Sequence, residues 1–196
     1  MAEIKVLIEG YAREEKGAEA ASCTTTLIKD KQLNIIVDPG MNRRLLLESL
    51  KKEKLSIKDI NYVILTHYHL DHSLLTGIFE NAKVLYSSDI YSFDGKIAEN
   101  KNRIFSDDIE IIKTPGHNSD CRTIFVKTDK GTIAICADVF WWTEEEEQKT
   151  DEKSLLEHED PYATDKGKLR ESRKLILVRA DYIIPGHGKM FKVEKG

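Results

Sequence analysis

Three cysteines, Cys23, Cys121 and Cys136, cannot all pair within one chain, and nothing in their spacing suggests a disulfide framework. A reducing compartment is therefore expected. Proline (4) and glycine (11) are too scarce for a fibrous or low-complexity chain. Long apolar runs are absent too: the longest are short pieces such as Tyr62–Leu65, far below the roughly 18 residues of a membrane span. The start, Met1-Ala2-Glu3-Ile4-Lys5, lacks the basic segment and apolar stretch of a secretory signal, so the expectation is a cytoplasmic protein with no membrane contact. No charge sign dominates. Thirty Lys and Arg against 34 Asp and Glu give −4, which supplies no overall field for a polyanion. Basic clusters at 51–54 and 166–174 read first as solvated helix faces.

What is present suits a globular chain: 196 residues, 40% hydrophobic and 33% charged, expected to form one domain over 1–196. β-branched and alternating segments predict strands at 3–8, 24–28, 34–37, 62–65 and 84–86, then at 109–113, 122–127, 132–137 and 182–184. Asn42 can cap a helix over 43–52, and further helices are expected at 73–78 and 166–178. The charged, Ala/Gly-rich stretch from Gly10 to Ala21 reads as a mobile loop or flap, and the acidic run 144–147 as a solvated loop or helix start. Strands precede helices in both halves, which predicts an α/β sandwich with helices covering two sheets.

The histidines carry the chemistry. Three of six fall in His67-Tyr68-His69-Leu70-Asp71-His72, directly after the apolar strand 62–65. In an extended segment alternate side chains share a face, so His67 and His69 can converge on one point. Asp71 and His72 lie where the chain turns toward a helix and can serve a second point nearby. Neutral imidazoles with a carboxylate suit zinc, and also iron or manganese. The remaining ligands must come from elsewhere, and three strand-end positions qualify. His117 follows Thr114-Pro115-Gly116, Asp138 follows the strand 132–137, and His187 sits in Pro185-Gly186-His187-Gly188.

Together with Asp38-Pro39-Gly40 and Ala137-Asp138, these motifs resemble the metallo-β-lactamase superfamily along nearly the whole chain. The resemblance implies an αββα sandwich with a binuclear site at the edge between its sheets. One divalent cation, zinc first and iron or manganese as alternatives, would be held by His67, His69 and His117. The second would be held by Asp71, His72 and His187, with Asp138 bridging both. Asp138 stands where some β-lactamases use cysteine, so β-lactam hydrolysis would be a weak side activity at best. A water shared by two cations would act as the nucleophile, and Asp71 would orient it and take its proton.

The resemblance places a phosphodiesterase or ribonuclease acting on single-stranded nucleic acid slightly ahead of a small thioester or lactone hydrolase. Lys168, Arg170, Arg173 and Lys174 would supply a local basic patch for the former. A glutathione-gripping C-terminal domain is not expected, since nine residues follow His187. A non-catalytic metal-binding scaffold is the third reading, and a homodimer stays open. Phe140, Trp141 and Trp142 are candidates for the pocket mouth, and Tyr11 for a flap. Ser119 and Arg122 could meet substrate or serve ordinary turn and strand roles. Cys121 is an extra ligand, an oxidation-sensitive thiol or, more simply, an inert buried thiol, Cys136 a core residue and His158 a helix-surface residue. Asp38 is placed to accept a hydrogen bond from a ligand imidazole.

Overall fold

The computed structural model describes residues 1–100 and 104–194. Its first half runs β1 (Glu3–Ile8), β2 (Tyr11–Glu15), β3 (Ala18–Ser22), β4 (Thr25–Asp30), β5 (Leu33–Val37) and helix α1 (Arg43–Lys52). It continues through β6 (Tyr62–Leu65), α2 (Leu70–Ser73), β7 (Lys83–Tyr86), β8 (Asp89–Tyr91) and β9 (Ile97–Glu99). The second half comprises β10 (Ile109–Lys113), β11 (Arg122–Thr128), β12 (Gly131–Ala137), α3 (Glu152–Glu157), α4 (Lys166–Arg179), β13 (Tyr182–Pro185) and β14 (Phe191–Lys192).

A seven-stranded sheet has the order β1-β4-β5-β6-β7-β8-β9, and a five-stranded sheet the order β10-β11-β12-β13-β14. The pairs β5–β6, β6–β7 and β12–β13 are parallel. Alternation along the strands explains how the layers stack. Ile35, Val37 and Ile64 face inward and meet Ile124, Val126, Ile135 and Ile184 of the other sheet. Their neighbours Ile36 and Val63 face outward against Leu46 and Leu50 of α1. On the far side, Ala134, Cys136 and Ile183 pack against Leu155 of α3 and Leu169, Ile176 and Leu177 of α4. The result is the expected αββα sandwich.

Two expectations change, and some elements were not expected. The stretch from Gly10 to Ala21 is an ordered antiparallel hairpin of β2 and β3, with Tyr11 paired to Ser22 and Glu15 to Ala18. Its turn residues Lys16 and Gly17 both take positive φ (54° and 79°), the geometry that matches a two-residue loop to strand twist. The helix expected at 73–78 begins earlier, as α2 over Leu70–Ser73, and a separate 3₁₀ turn covers Thr76–Ile78. Asp71 and His72 are thus helical. The short β8–β9 hairpin, α3 and β14 carry too little apolar pattern to be anticipated. No helix among the described residues is long and apolar enough to cross a membrane.

Gly116 fixes how α4 approaches the second sheet. It has φ +143°, and a Cβ there would lie 2.2 Å from the Leu169 Cα. Gly116→Ala should therefore destabilise the protein by roughly 2–4 kcal/mol, read from urea unfolding. A change below about 0.5 kcal/mol would show that α4 can retreat freely.

Candidate metal centre

Each of the seven candidate ligands, and Asp38, follows the carboxyl end of a strand. Strands β5 and β6 are parallel, with Val37 beside Ile64, so Asp38 and Thr66 emerge side by side. Strands β12 and β13 are parallel as well, with Ala137 beside Pro185, which brings Asp138 and His187 together. The turn after β10 is closed by a hydrogen bond from the Thr114 N–H to the Cys121 carbonyl and carries His117. Two non-glycine residues here occupy the left-handed region: Asp38 (φ 49°) and Ala137 (φ 46°). An alanine so placed is strained, and its effect is to swing the chain so that Asp138 points into the site.

All seven residues singled out from the sequence converge. One group comprises His67, His69, His117 and Asp138, another Asp71, His72 and His187, and the ligand atoms within each lie within 4.8 Å of one another. Asp138 faces both groups with different oxygens. Its Oδ2 is 3.7 Å from His67 Nε2 and 3.4 Å from His117 Nε2. Its Oδ1 is 3.1 Å from His72 Nε2 and 3.9 Å from His187 Nε2. His187 Nε2 also lies 3.1 Å from Asp71 Oδ2, and His117 Nε2 lies 3.2 Å from His69 Nδ1.

The far sides of the rings are anchored. His72 Nδ1 meets Asp38 Oδ2 at 2.9 Å, and Asp38 also accepts the Thr66 N–H (2.8 Å) and hydroxyl (2.6 Å). The role expected of Asp38 thus has its geometry. His67 Nδ1 meets the Thr66 hydroxyl at 3.1 Å, and His187 Nδ1 the Tyr11 carbonyl at 3.0 Å. His117 Nδ1 meets Asp160 Oδ2 at 2.7 Å. Asp160 escaped the sequence reading: it is 43 positions from its partner and sits in no recognisable motif.

Charge in the site follows from burial and neighbours. Burial pushes His67 well below the ordinary imidazole value, and the charge on His72 pushes the same way. Burial also lowers His69. Burial opposes ionisation of Asp138, but the surrounding imidazoles outweigh it and hold the carboxyl well below its usual range. His72 is buried too, yet the carboxylates Asp138 and Asp38 hold it well above its ordinary value. For Asp71, burial is outweighed by the His187 hydrogen bond and the charge on His72, leaving its carboxyl below the ordinary value.

These residues fit divalent cations. His67 Nε2, His72 Nε2 and Asp138 Oδ1 are buried without a hydrogen-bond partner. An unpaired buried polar atom costs about 1–3 kcal/mol, so three converging on one space mark a place built for something that accepts their lone pairs.

A family model described as the metallo-beta-lactamase superfamily matches residues 18–85. Metallo-beta-lactamase domain-containing protein 1 of Xenopus laevis is 32% identical over 202 aligned residues, covering 98% of this chain and 82% of the relative. The chain belongs to the metallo-β-lactamase superfamily. The mouse protein of the same name is also 32% identical, over 96% of this chain and 74% of the relative. Among solved structures, a protein of Thermotoga maritima assigned to the metallo-beta-lactamases superposes with TM-score 0.72 at 21% identity, covering 97% of this chain and 99% of that one. The dizinc quorum-quenching lactonase AidC superposes with TM-score 0.62 at 19% identity, over 87% and 73%. Both show the fold.

Other expected residues sort differently. Trp141 lines the cavity beside the ligands, whereas Phe140 and Trp142 are buried against Phe191. The hairpin lines the cavity through residues such as Ala12 and Ala20, while the Tyr11 hydroxyl turns away to accept a hydrogen bond from Asn42. Ser119 and Arg122 lie outside the cavity lining, and Arg122 donates to Ser87 instead. His158 ends α3 half-buried, with Nε2 2.8 Å from the Trp141 carbonyl, rather than on an open helix surface. Arg173, expected in a basic patch, is only 2% exposed and donates to the Val139 and His158 carbonyls.

Among the described residues Cys121 joins no candidate ligand group. Cys23 lies near Asp38 and His72, but those two side chains are engaged with one another. All three thiols are buried. Burial pushes Cys23 up to about 11 and Cys121 to about 12, and raises Cys136 too. At pH 8 a disulfide reagent should therefore label none of them in the folded protein and all three in denaturant. Fast labelling of any one under native conditions would contradict this burial.

Proposed function

We propose that this protein is a hydrolase that works with two divalent cations, zinc foremost, and acts on small ester, thioester or lactone substrates. The observation that carries the reading is Asp138, whose two oxygens face two separate imidazole groups. One cation would be held by His67, His69 and His117, the other by Asp71, His72 and His187, with Asp138 shared. When bound, such a pair supplies an activated water at neutral pH and a Lewis acid for the substrate oxygen.

The protein's own groups do the rest. Asp71 has 23% side-chain exposure against 7% for Asp138, so it is the ligand carboxylate that can exchange a proton with bound substrate. Its hydrogen bond with His187 keeps it ionised and aimed into the site. Beside the ligands lies a cavity of about 860 Å³, walled by hairpin alanines, Met41, Leu70, Trp141 and Tyr162. This lining suits an apolar acyl or ring moiety.

The mouth argues against a polyanion and reverses the order expected from the sequence. Glu14, Glu19 and Glu145 border the cavity. Among the described residues its one lysine or arginine, Arg13, is already paired with Glu144 (3.2 Å) and Glu15 (3.3 Å). Arg173 is buried elsewhere. AidC, which shares the fold, is a quorum-quenching lactonase, an activity of the ester class favoured here.

Three substrate panels decide between the readings: thioesters and lactones with apolar acyl chains, phosphodiesters with single-stranded RNA, and a β-lactam. Turnover confined to the first, lost on chelation and restored by Zn²⁺, is expected. Turnover confined to RNA would replace the reading with the nuclease, and cation binding without turnover would favour a scaffold. Asp71→Asn should lower kcat by roughly 10²–10⁴-fold while bound Zn²⁺, measured by atomic emission, changes far less. Equal loss of both would remove the proton-handling role.

A further inference from the structure

Four of the five site imidazoles turn Nε2 toward the centre, and each has its Nδ1 engaged by a partner of this chain. The partners are the Thr66 hydroxyl for His67, Asp38 for His72, the Tyr11 carbonyl for His187 and Asp160 for His117. Only two are carboxylates, and they divide evenly: Asp38 serves the Asp71 group and Asp160 serves the His69 group. Sequence motifs account for Asp38. Nothing in the reaction as described uses Asp160.

Asp160 is a carboxylate with 2% exposure, which demands compensation. Its Oδ1 accepts the Tyr162 N–H at 3.0 Å, and its Oδ2 lies 2.7 Å from His117 Nδ1. The loop that carries it is tied down on both sides. Arg173 on α4 donates to the His158 carbonyl at 2.6 Å and to the Val139 carbonyl at 2.9 Å. The Thr164 N–H reaches the His117 carbonyl at 3.2 Å, and the Asp165 N–H reaches the Gly116 carbonyl at 2.9 Å. One buried guanidinium thus holds the segment next to Asp138 and the segment before Asp160 in one frame.

We propose that Asp160 is a positioning residue of the metal centre: it holds the Nδ1 proton of His117, which leaves Nε2 bare and aimed at the cation shared with His67 and His69. A carboxylate in this place fixes the ring's tautomer and orientation and raises its basicity as a ligand. Asp160 acts through His117 and does not touch substrate. The inference rests on the proposed function, because it assigns Asp160 a role toward a cation that this function requires.

The test is Zn²⁺ titration of metal-stripped protein by calorimetry, comparing wild type, Asp160→Asn and Asp38→Asn. Asp160→Asn keeps the size and the acceptor for the Tyr162 N–H, so the urea midpoint of the metal-free protein should stay near wild type. One of the two Zn²⁺ equivalents should weaken by about 10–100-fold while the other is unchanged. Asp38→Asn should weaken the other equivalent. If wild type binds two Zn²⁺ and Asp160→Asn binds both equally well, the inference is overturned and the proposed function survives. If wild type binds none, the proposed function falls and the inference falls with it. Should Asp160→Asn fail to fold, ¹⁵N imidazole shifts of wild type decide. His117 protonated on Nδ1 with Nε2 bare is expected, and the reverse tautomer overturns the assignment.

Discussion

A carboxylate placed almost out of reach of water, between two sets of imidazoles, governs this molecule. Asp138 is 5% exposed, and burying an ion without compensation is expensive. The surrounding structure is arranged to keep it there and to give it partners on both sides. Ala137 takes a left-handed turn to deliver it. Gly186 makes room for it, since a Cβ at that position would sit 1.8 Å from Asp138 Oδ1. Local strain and the loss of side chains are concentrated where the chemistry needs them.

The seven candidate ligands are divided between the two sheets. His67, His69, Asp71 and His72 follow β6, whereas His117, Asp138 and His187 follow β10, β12 and β13. No contact inside either half can set the distance between the two groups. That distance is held by the aliphatic layer in which Ile35, Val37 and Ile64 meet Ile124, Ile135 and Ile184, and by backbone links at the site, from the Arg122 N–H to the Thr66 carbonyl (3.0 Å) and from the Thr24 N–H to the Gly186 carbonyl (2.6 Å). The packing of that layer therefore contributes to the geometry of the site, since a close-packed core transmits strain.

Much of this was legible in the sequence because the signals are strong and local. The histidine-rich run straight after an apolar strand, and the three strand-end ligands in tight turns, pointed to their own convergence. The sandwich followed from alternation and from the order of elements. What escaped depends on partners far apart in the chain. Asp160 looks like any loop aspartate until α4 carries its loop onto His117. Arg173 looks like one more basic helix residue, yet it lies beneath the loops it bridges. The strands of the hairpin went unread because alanine and charged residues give little periodic contrast, although Lys16-Gly17 is a fair turn signal.

The base of that hairpin is joined to the last candidate ligand. Tyr11 offers its carbonyl to His187, Gly10 and Gly188 form a bridge, and the Trp142 N–H reaches the His187 carbonyl. The Glu144 N–H in turn reaches the Ala12 carbonyl. Any flexing to admit a molecule must therefore be confined to the tip, beyond Arg13. A relative that shortened this ribbon to open its entrance would have to find a new brace for its final imidazole, so access and coordination are coupled in how such a chain can evolve.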